Sequence, residues 1–418
     1  MLNRRLFSAA LGGATIFPAI CPPLARAQTT LPFYSSTGPK LTRYVLDANA
    51  ATVTEAQSVT LPSNVQYAWP DPTRRFLYVA ASNNIPGGLS PEIGGHFVQT
   101  YRVDGDGALT AHGPLVRLAK RPVHVTVDPS GRYFLAAYNL PSSVGVHRIN
   151  ADGAIGDEIP QRNQLDTGIY AHQIRVSPSG RTVMVAARGN DPRPDRAEDP
   201  GAIKVFAFEN GQLSNLQSLA PKGNGYGFGP RHLDFGARHC FVSLERENSI
   251  GVYGLSSDGK LSAEPLFIKN ALLDPGAKAK YPGQTAGPIH VHPHGDFVYQ
   301  TNRGSGTVDY NGQKISNGGE NNIVVWKIDP ATGEPARIQN IDSHGFELRT
   351  FTITPDGKLL IAASQTPMLV RDGANITRIS AGFSIYRIGT DGKLSFVRKH
   401  DVDTSAGTHF WCGLLTMV

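Results

Sequence analysis

Arg121 to Asn139 reads RPVHVTVDPSGRYFLAAYN, and Tyr170 to Gly189 reads YAHQIRVSPSGRTVMVAARG. Each stretch joins an alternating segment to a run of β-branched and small apolar residues through a Pro-Ser-Gly corner. Alternation with period two is the mark of a strand with one buried face. Pro presets φ for a turn, and Gly supplies the positive φ that a tight reversal needs. Both stretches therefore predict an antiparallel hairpin. The same unit returns as NVQYAWPDPTRRFLYVAAS from Asn64, GPRHLDFGARHCFVSLERE from Gly229, GPIHVHPHGDFVYQTNRG from Gly287 and ELRTFTITPDGKLLIAASQ from Glu347. Equivalent turn positions are Arg74, Gly131, Gly180, Ala237, Gly295 and Gly357, separated by 57, 49, 57, 58 and 62 residues.

A third strand follows each hairpin, as in SSVGVHRI, AIKVFAF, NSIGVYGL, NIVVWKI and GFSIYRI, and in several copies an Asp-Gly corner and a fourth, weaker strand come next. Four antiparallel strands repeated at roughly 40–60 residues are the signature of a β-propeller blade. Six copies fill roughly residues 64–403. The leftover ends, PFYSSTGPKLTRYVLDANAATVTEAQSV and GTHFWCGLLTMV, are each too short for a blade but together make one. A blade built from both chain ends removes the open sheet edges. The expected fold is all-β: a seven-bladed β-propeller with one blade closed by N- and C-terminal strands, forming a single domain over 28–418.

Composition agrees. Gly (45) and Pro (30) make about 18 % of the 418 residues, against a usual 12 % or so. Charged residues are 18 % and apolar residues 40 %, which excludes a disordered chain, and the Gly and Pro content disfavours long helices. Residues 1–27 read as an address. Arg4 and Arg5 precede an apolar run from Leu6 to Cys21, and Ala25-Arg26-Ala27 offers a small-x-small cleavage site. The stretch NRRLFSAALGG resembles a twin-arginine export signal, with Phe7 two places after the Arg pair and Asn3 where Ser or Thr is commoner. The apolar run is short of the roughly 20 residues that span a bilayer. The expectation is a periplasmic protein cleaved near Ala27, handled as a precursor by the twin-arginine machinery, with no membrane span in the mature chain. Removing that segment takes three Arg and no acid from the formal charge of +6. No run of five basic residues remains, so nucleic acid is not an expected partner. Of the remaining cysteines, Cys240 and Cys412 fall in well-separated blades and read as buried thiols.

Strand direction predicts where a site lies. The start of strand one and the end of strand two lie on the same face of a blade. Strand-one starts give His124, His172, Arg231 with His232, His290 and Arg349; strand-two ends give Asn139, Arg188, Glu245, Arg303 and Gln365. One mouth of the channel thus collects His, Arg and Glu, while the other is expected to carry only turns. Gathering charge in a narrow mouth is unfavourable unless the charges pair or bind something. The long insertions at 83–96, 189–201, 304–322 and 366–381 all join strands two and three, on the charged face, and read as a rim or lid.

The run GPRH, an apolar strand ending in Glu 14 residues after Arg231, and a later strand ending in NRG are similar to the seven-bladed lactonase family. That family includes propeller-type bacterial 6-phosphogluconolactonases and fungal carboxy-muconate cyclases. The resemblance covers roughly residues 31–418. It implies that the catalytic residues are Glu245, His172, Arg231 and Arg303, with no metal or other cofactor; of the remaining mouth residues from the strand ends, His124, His232, His290, Arg188 and Arg349 are expected around the substrate. Leu244 stands where the family usually has Asn, His172 lies in Tyr170-Ala171-His172-Gln173 rather than a His-Pro-His context, and the insertions at 189–201 and 304–322 are longer than usual. The implied activity is hydrolysis of a small anionic or sugar-derived lactone, a carboxylic ester hydrolase reaction. Glu245 or His172 would serve as acid and base, each tuned toward neutrality by burial and neighbours, and the Arg pair would hold an anionic oxygen. The muconate branch would use the same parts to close a ring. A non-catalytic exported propeller binding a ligand or protein, and a redox propeller with an added cofactor, are the alternatives of other classes. His290, His292 and His294 alternate along one strand and could touch a metal, although the resemblance implies none. A Gly-x-Ser-x-Gly elbow is absent, which argues against a serine esterase.

Overall fold

The structure is a computed structural model that describes residues 30–83 and 95–415. The export segment expected at 1–27 and most of the first rim loop lie outside the described residues. Seven four-stranded antiparallel sheets form the blades. Their inner strands are Val65–Pro70, Pro122–Val127, Ala171–Val176, Pro230–Phe235, Gln284–Val291, Leu348–Ile353 and His409–Leu414. Each packs beside the next, and the last packs beside the first, so the ring closes. The closing blade is a composite: the inner strand His409–Leu414 pairs with Thr30–Thr37, with Ser35 opposite Cys412. His409 fixes this junction, its Nδ1 against the Ser364 carbonyl at 2.9 Å and its Nε2 against Ser35 Oγ at 2.5 Å.

The repeated corners do what their residues predict. Gly131, Gly180, Gly295 and Gly357 are all left-handed, with φ between 68° and 85°, and Arg74 takes the same conformation (φ 62°) in the looser first copy. The Asp-Gly corners have a further task. Tyr78 Oη of the first blade donates to the Gly153 carbonyl of the second at 3.0 Å, and Tyr299 Oη of the fifth donates to Gly392 of the sixth at 2.8 Å. Thr182 donates to Gly259 in the same way at 2.7 Å. Each corner thus docks on its neighbour's second strand, where there is no room for a side chain: a Cβ on Gly153 would fall 2.2 Å from the Phe76 ring.

Apolar clusters lie between adjacent blades, for example Tyr78, Phe134 and Val125, or Phe33, Phe383 and Ile361. Cys240 and Cys412 are both buried free thiols, in different blades. Of the insertions, 304–322 and 366–381 each fold into a hairpin, Thr307–Tyr310 with Gln313–Ser316 and Met368–Asp372 with Asn375–Ile379, and the two join through a parallel contact of Ile315 with Leu369. Among the described residues no helix is long and apolar enough to cross a membrane.

Gly153→Ala combines a left-handed φ of 90° with the Phe76 clash. We expect it to destabilise the ring by about 2 kcal/mol or more, read as a lowered Tm; an unchanged Tm would show that the corner does not clasp its neighbour.

Candidate active site at the channel mouth

Every inner strand carries a bulge near its start, and the bulge sets the site. In the third blade Ala171 pairs with Ala187 and Gln173 with Ala186, leaving His172 as the extra residue. In the fourth, Arg231 is the extra residue between Pro230 and His232, and in the sixth it is Arg349, between Leu348 and Thr350. A bulge re-aims a side chain that regular alternation would place elsewhere. Three bulged residues, one His and two Arg, thereby reach the cluster that forms around the ends of the second strands.

Glu245 is the centre of that cluster. Its Oε2 accepts from Arg188 Nε at 2.6 Å and its Oε1 from Arg303 Nη2 at 2.6 Å, while Arg231 Nε stands 3.7 Å from Oε1, beyond hydrogen-bond reach. Burial alone would raise the Glu245 carboxyl, but Arg188, Arg303 and Arg231 outweigh it and hold it down at about 2. Arg303 Nη1 also meets Glu347 at 3.2 Å, and Arg188 Nη2 meets Asp191 at 2.5 Å. Arg231 is 1 % exposed, and its Nε and Nη1 have no hydrogen-bond partner. Burial and the neighbouring Arg303 push its pKa well below the ordinary value. A guanidinium keeps its proton inside a protein, so an anionic oxygen bonded to these donors would relieve the strain. Arg349 lies over the Phe410 ring at 4.2 Å, and burial, Arg303 and Arg121 lower it to about 10.

His172 is buried with its Nδ1 unpartnered. Burial, then Arg231, Arg349, Arg188 and Arg303, hold its pKa well below 6.5, so the ring is a neutral imidazole. Beneath it the rings continue along the axis, His172 to His232 at 5.3 Å and His232 to His124 at 5.8 Å. Both are pushed well below the imidazole range, by burial first. Around the mouth the guanidiniums of Arg121, Arg188, Arg231, Arg303 and Arg349 face the carboxylates of Glu245, Glu347 and Asp191, so positive charge is in excess.

The family model for the seven-bladed beta-propeller lactonases matches residues 30–371. The chain belongs to this lactonase family. A 6-phosphogluconolactonase of Yersinia pestis is 27 % identical over 366 residues, covering 85 % of this chain and 89 % of its own. A namesake from Pectobacterium carotovorum is 29 % identical over 254 residues, 60 % of this chain and 67 % of that one. Among solved structures, the periplasmic gluconolactonase PpgL of Pseudomonas aeruginosa superposes with a TM-score of 0.69 at 20 % identity, covering 93 % of this chain and all of that one.

Within this lactonase fold the structure brings together Glu245, His172, Arg231, Arg303, Arg188 and Arg349, and places His232 and His124 on the axis below them. Two expectations fail. Neither Glu245 nor His172 is tuned toward neutrality: three guanidiniums outweigh the burial of Glu245 and hold it down, and burial together with the guanidiniums takes His172 below its ordinary range. His290 is not at this mouth: its Nδ1 meets Asp234 at 3.4 Å and its ring lies edge-on to Phe351, both at the opposite mouth. The strings GPRH and GPIH invite an alignment of His290 with His232. The strand register instead pairs Ala286 with Asn302 and His290 with Tyr299, which puts His290 in the place that Asp234 holds in the fourth blade. The neighbouring histidines are engaged apart from it, His292 Nε2 sitting 3.0 Å from the Gly357 carbonyl. No group of three or more His, Cys, Asp or Glu among the described residues could hold a metal.

The sequence reading passed over Tyr170, Glu347 and Arg121. Tyr170 and Glu347 precede their inner strands in the left-handed conformation (φ 60° and 54°), the position that Gly229 fills at φ 51°. Such backbone costs of order 1 kcal/mol or more for a non-Gly residue and gathers at functional sites. The Gly in that column of the repeat was the signal that could have found them. Tyr170 stacks on His172 at 6.3 Å and carries Arg188 over its ring at 5.8 Å. Arg121 is buried, its Nε on Gln66 at 2.9 Å and its Nη2 unpartnered. The 189–201 insertion forms the rim here, with Arg246 bonded to the Asn190 carbonyl at 3.0 Å and to Glu198 at 2.7 Å.

An uncompensated cationic cluster is stabilised by any anion that fits it. Inorganic phosphate replacing chloride at equal ionic strength should raise the Tm of the wild type, and Arg231→Met should lose most of the rise. An equal rise in both proteins would mean that the anion binds elsewhere.

Proposed function

We propose that this chain is an exported lactonase that hydrolyses a small anionic or sugar-derived lactone at the Glu245 mouth. The observation that carries the reading is Arg231: a buried guanidinium with two unpartnered donors, beside a neutral imidazole, in a cluster short of negative charge. The names of its relatives, 6-phosphogluconolactonase and periplasmic gluconolactonase, support the same reaction class.

In this reading a water oxygen bonds the lactone carbonyl carbon while His172 takes a proton from that water. The carbonyl oxygen becomes an oxyanion held by the free Arg231 donors. The ring C–O bond then breaks, His172 returns its proton to the departing alkoxide, and the new carboxylic acid releases its own proton to solvent, leaving a carboxylate among the guanidiniums. Glu245 stays ionised. Its two oxygens are occupied by Arg188 and Arg303, so it positions the guanidiniums rather than moving a proton. The same arginines that lower His172 in the free enzyme are offset when an anion binds. An anionic lactone therefore raises the proton affinity of His172 on binding, and a neutral one does so only as its oxyanion forms. With Arg4, Arg5 and Ala25-Arg26-Ala27 directing export, an unphosphorylated aldonolactone is the substrate class we favour over a phosphorylated one.

A panel of aldonolactones and their phosphorylated counterparts, assayed by acid release with and without a chelator, tests this. We expect hydrolysis above background with a chelator-insensitive rate. The acid limb of kcat/KM, which reports the free enzyme, should lie below pH 6.5, and for any phosphorylated lactone that is turned over the limb of kcat should lie higher. No turnover of any lactone, or an acid limb of kcat/KM above pH 6.5, would overturn the reading.

A further inference from the structure

We propose that the opposite mouth of the channel is a second ligand site, built for a small aromatic ring that carries a carboxylate. Turns alone were expected there. Instead the inner strands end in a cavity of about 480 Å³, within the size range of small-molecule sites. Its walls are aromatic and its rim is proline. Trp69 lies nearly parallel to Tyr67 (interplanar angle 20°, centroids 6.5 Å apart), and Pro72, Pro129 and Pro178 edge the opening.

Polar groups converge on one wall. Arg175 Nη2 bonds Asp234 Oδ1 at 3.1 Å, and its guanidinium sits between the rings of Trp69 and Phe235, 5.0 and 5.4 Å from their centroids. His290 Nδ1 faces Asp234 Oδ2 at 3.4 Å. Asp234 is saturated, because the Phe235 and Val291 amides also donate to it, each at 3.0 Å. It therefore offers nothing to a ligand but fixes the Arg175 guanidinium, a donor, and the His290 ring, whose Nδ1 it engages, at the cavity wall. Their side chains remain 15 % and 28 % exposed.

The ligand class follows from this inventory. Flat apolar walls select a ring that can lie against Trp69, where stacking adds to area burial. The Arg175 guanidinium selects an anionic oxygen. Asp234 balances the Arg175 charge, so the wall suits a single small acidic group rather than a polyanion. The site is separate from the Glu245 cluster. Tyr67, His124 and His232 stack between the two mouths, with ring centroids 4.0 and 5.8 Å apart.

Tryptophan emission reads this cavity directly. Of the three tryptophans, Trp69 and Trp411 line it, while Trp326 is buried in the fifth blade. Titration of the purified protein with 4-hydroxybenzoate should give a saturable emission change with Kd of about 1 mM or tighter, and gluconate, an acid without an aromatic ring, should give none. Arg175→Met and His290→Gln should each weaken the binding about tenfold or more, with an unchanged melting curve of either variant securing the comparison. Glu245→Gln should leave it intact. A linear, unsaturating response, equal binding in both folded cavity variants, or loss of binding in Glu245→Gln would overturn the proposal.

Discussion

One buried carboxylate organises the mouth of this propeller. Glu245 bonds Arg188 and Arg303 through separate oxygens and stands near Arg231, so a single anion draws together guanidiniums contributed by three successive blades. Without it, three cations would be buried side by side, each uncompensated charge costing several kcal/mol. With it, the cluster is still short of negative charge, because Glu245 cannot satisfy Arg231 as well. That deficit suits the mouth to an anionic oxygen, and burial together with the surrounding guanidiniums holds the His172 pKa well below its ordinary value.

The propeller supplies the distances that this arrangement needs. Seven inner strands converge on one axis, and each carries a bulge close to the same height. The bulged residues His172, Arg231 and Arg349 form the upper layer. His124 and His232 lie one step below, and Trp69, Arg175, Asp234 and His290 lie at the far end. The blades are held in phase by Asp-Gly corners that dock under Tyr78, Thr182 and Tyr299 of their neighbours, and the ring by the junction at His409. Rigidity matters because a charge-assisted network loses its value when its members drift.

Much of this was legible in the sequence because a propeller writes its geometry as a repeat. The corner glycines and the composite blade followed from the repeat and its leftover ends, and six of the mouth residues from strand direction. What escaped depends on register and packing. The two-letter match of Gly-Pro in GPRH and GPIH misplaced His290 by two residues, and only the pairing of Ala286 with Asn302 corrects it. The Arg175–Asp234–His290 wall went unseen because its members sit in strand interiors, where alternation explains a polar residue as merely facing the channel. The direction of the Glu245 shift was also unreadable. It depends on whether three guanidiniums arrive within reach of a buried carboxylate, and no spacing in the chain states that. Tyr170 and Glu347 were hidden by their backbone: a left-handed Tyr or Glu has no sequence signature of its own.

The most direct test of the central claim is the steady-state kinetics of Glu245→Gln on whichever lactone the wild type hydrolyses best. The amide keeps the shape but removes the charge that gathers Arg188, Arg303 and Arg231. The account predicts a fall in kcat/KM of about 100-fold or more in a variant that still folds; turnover within a factor of two of the wild type would contradict it.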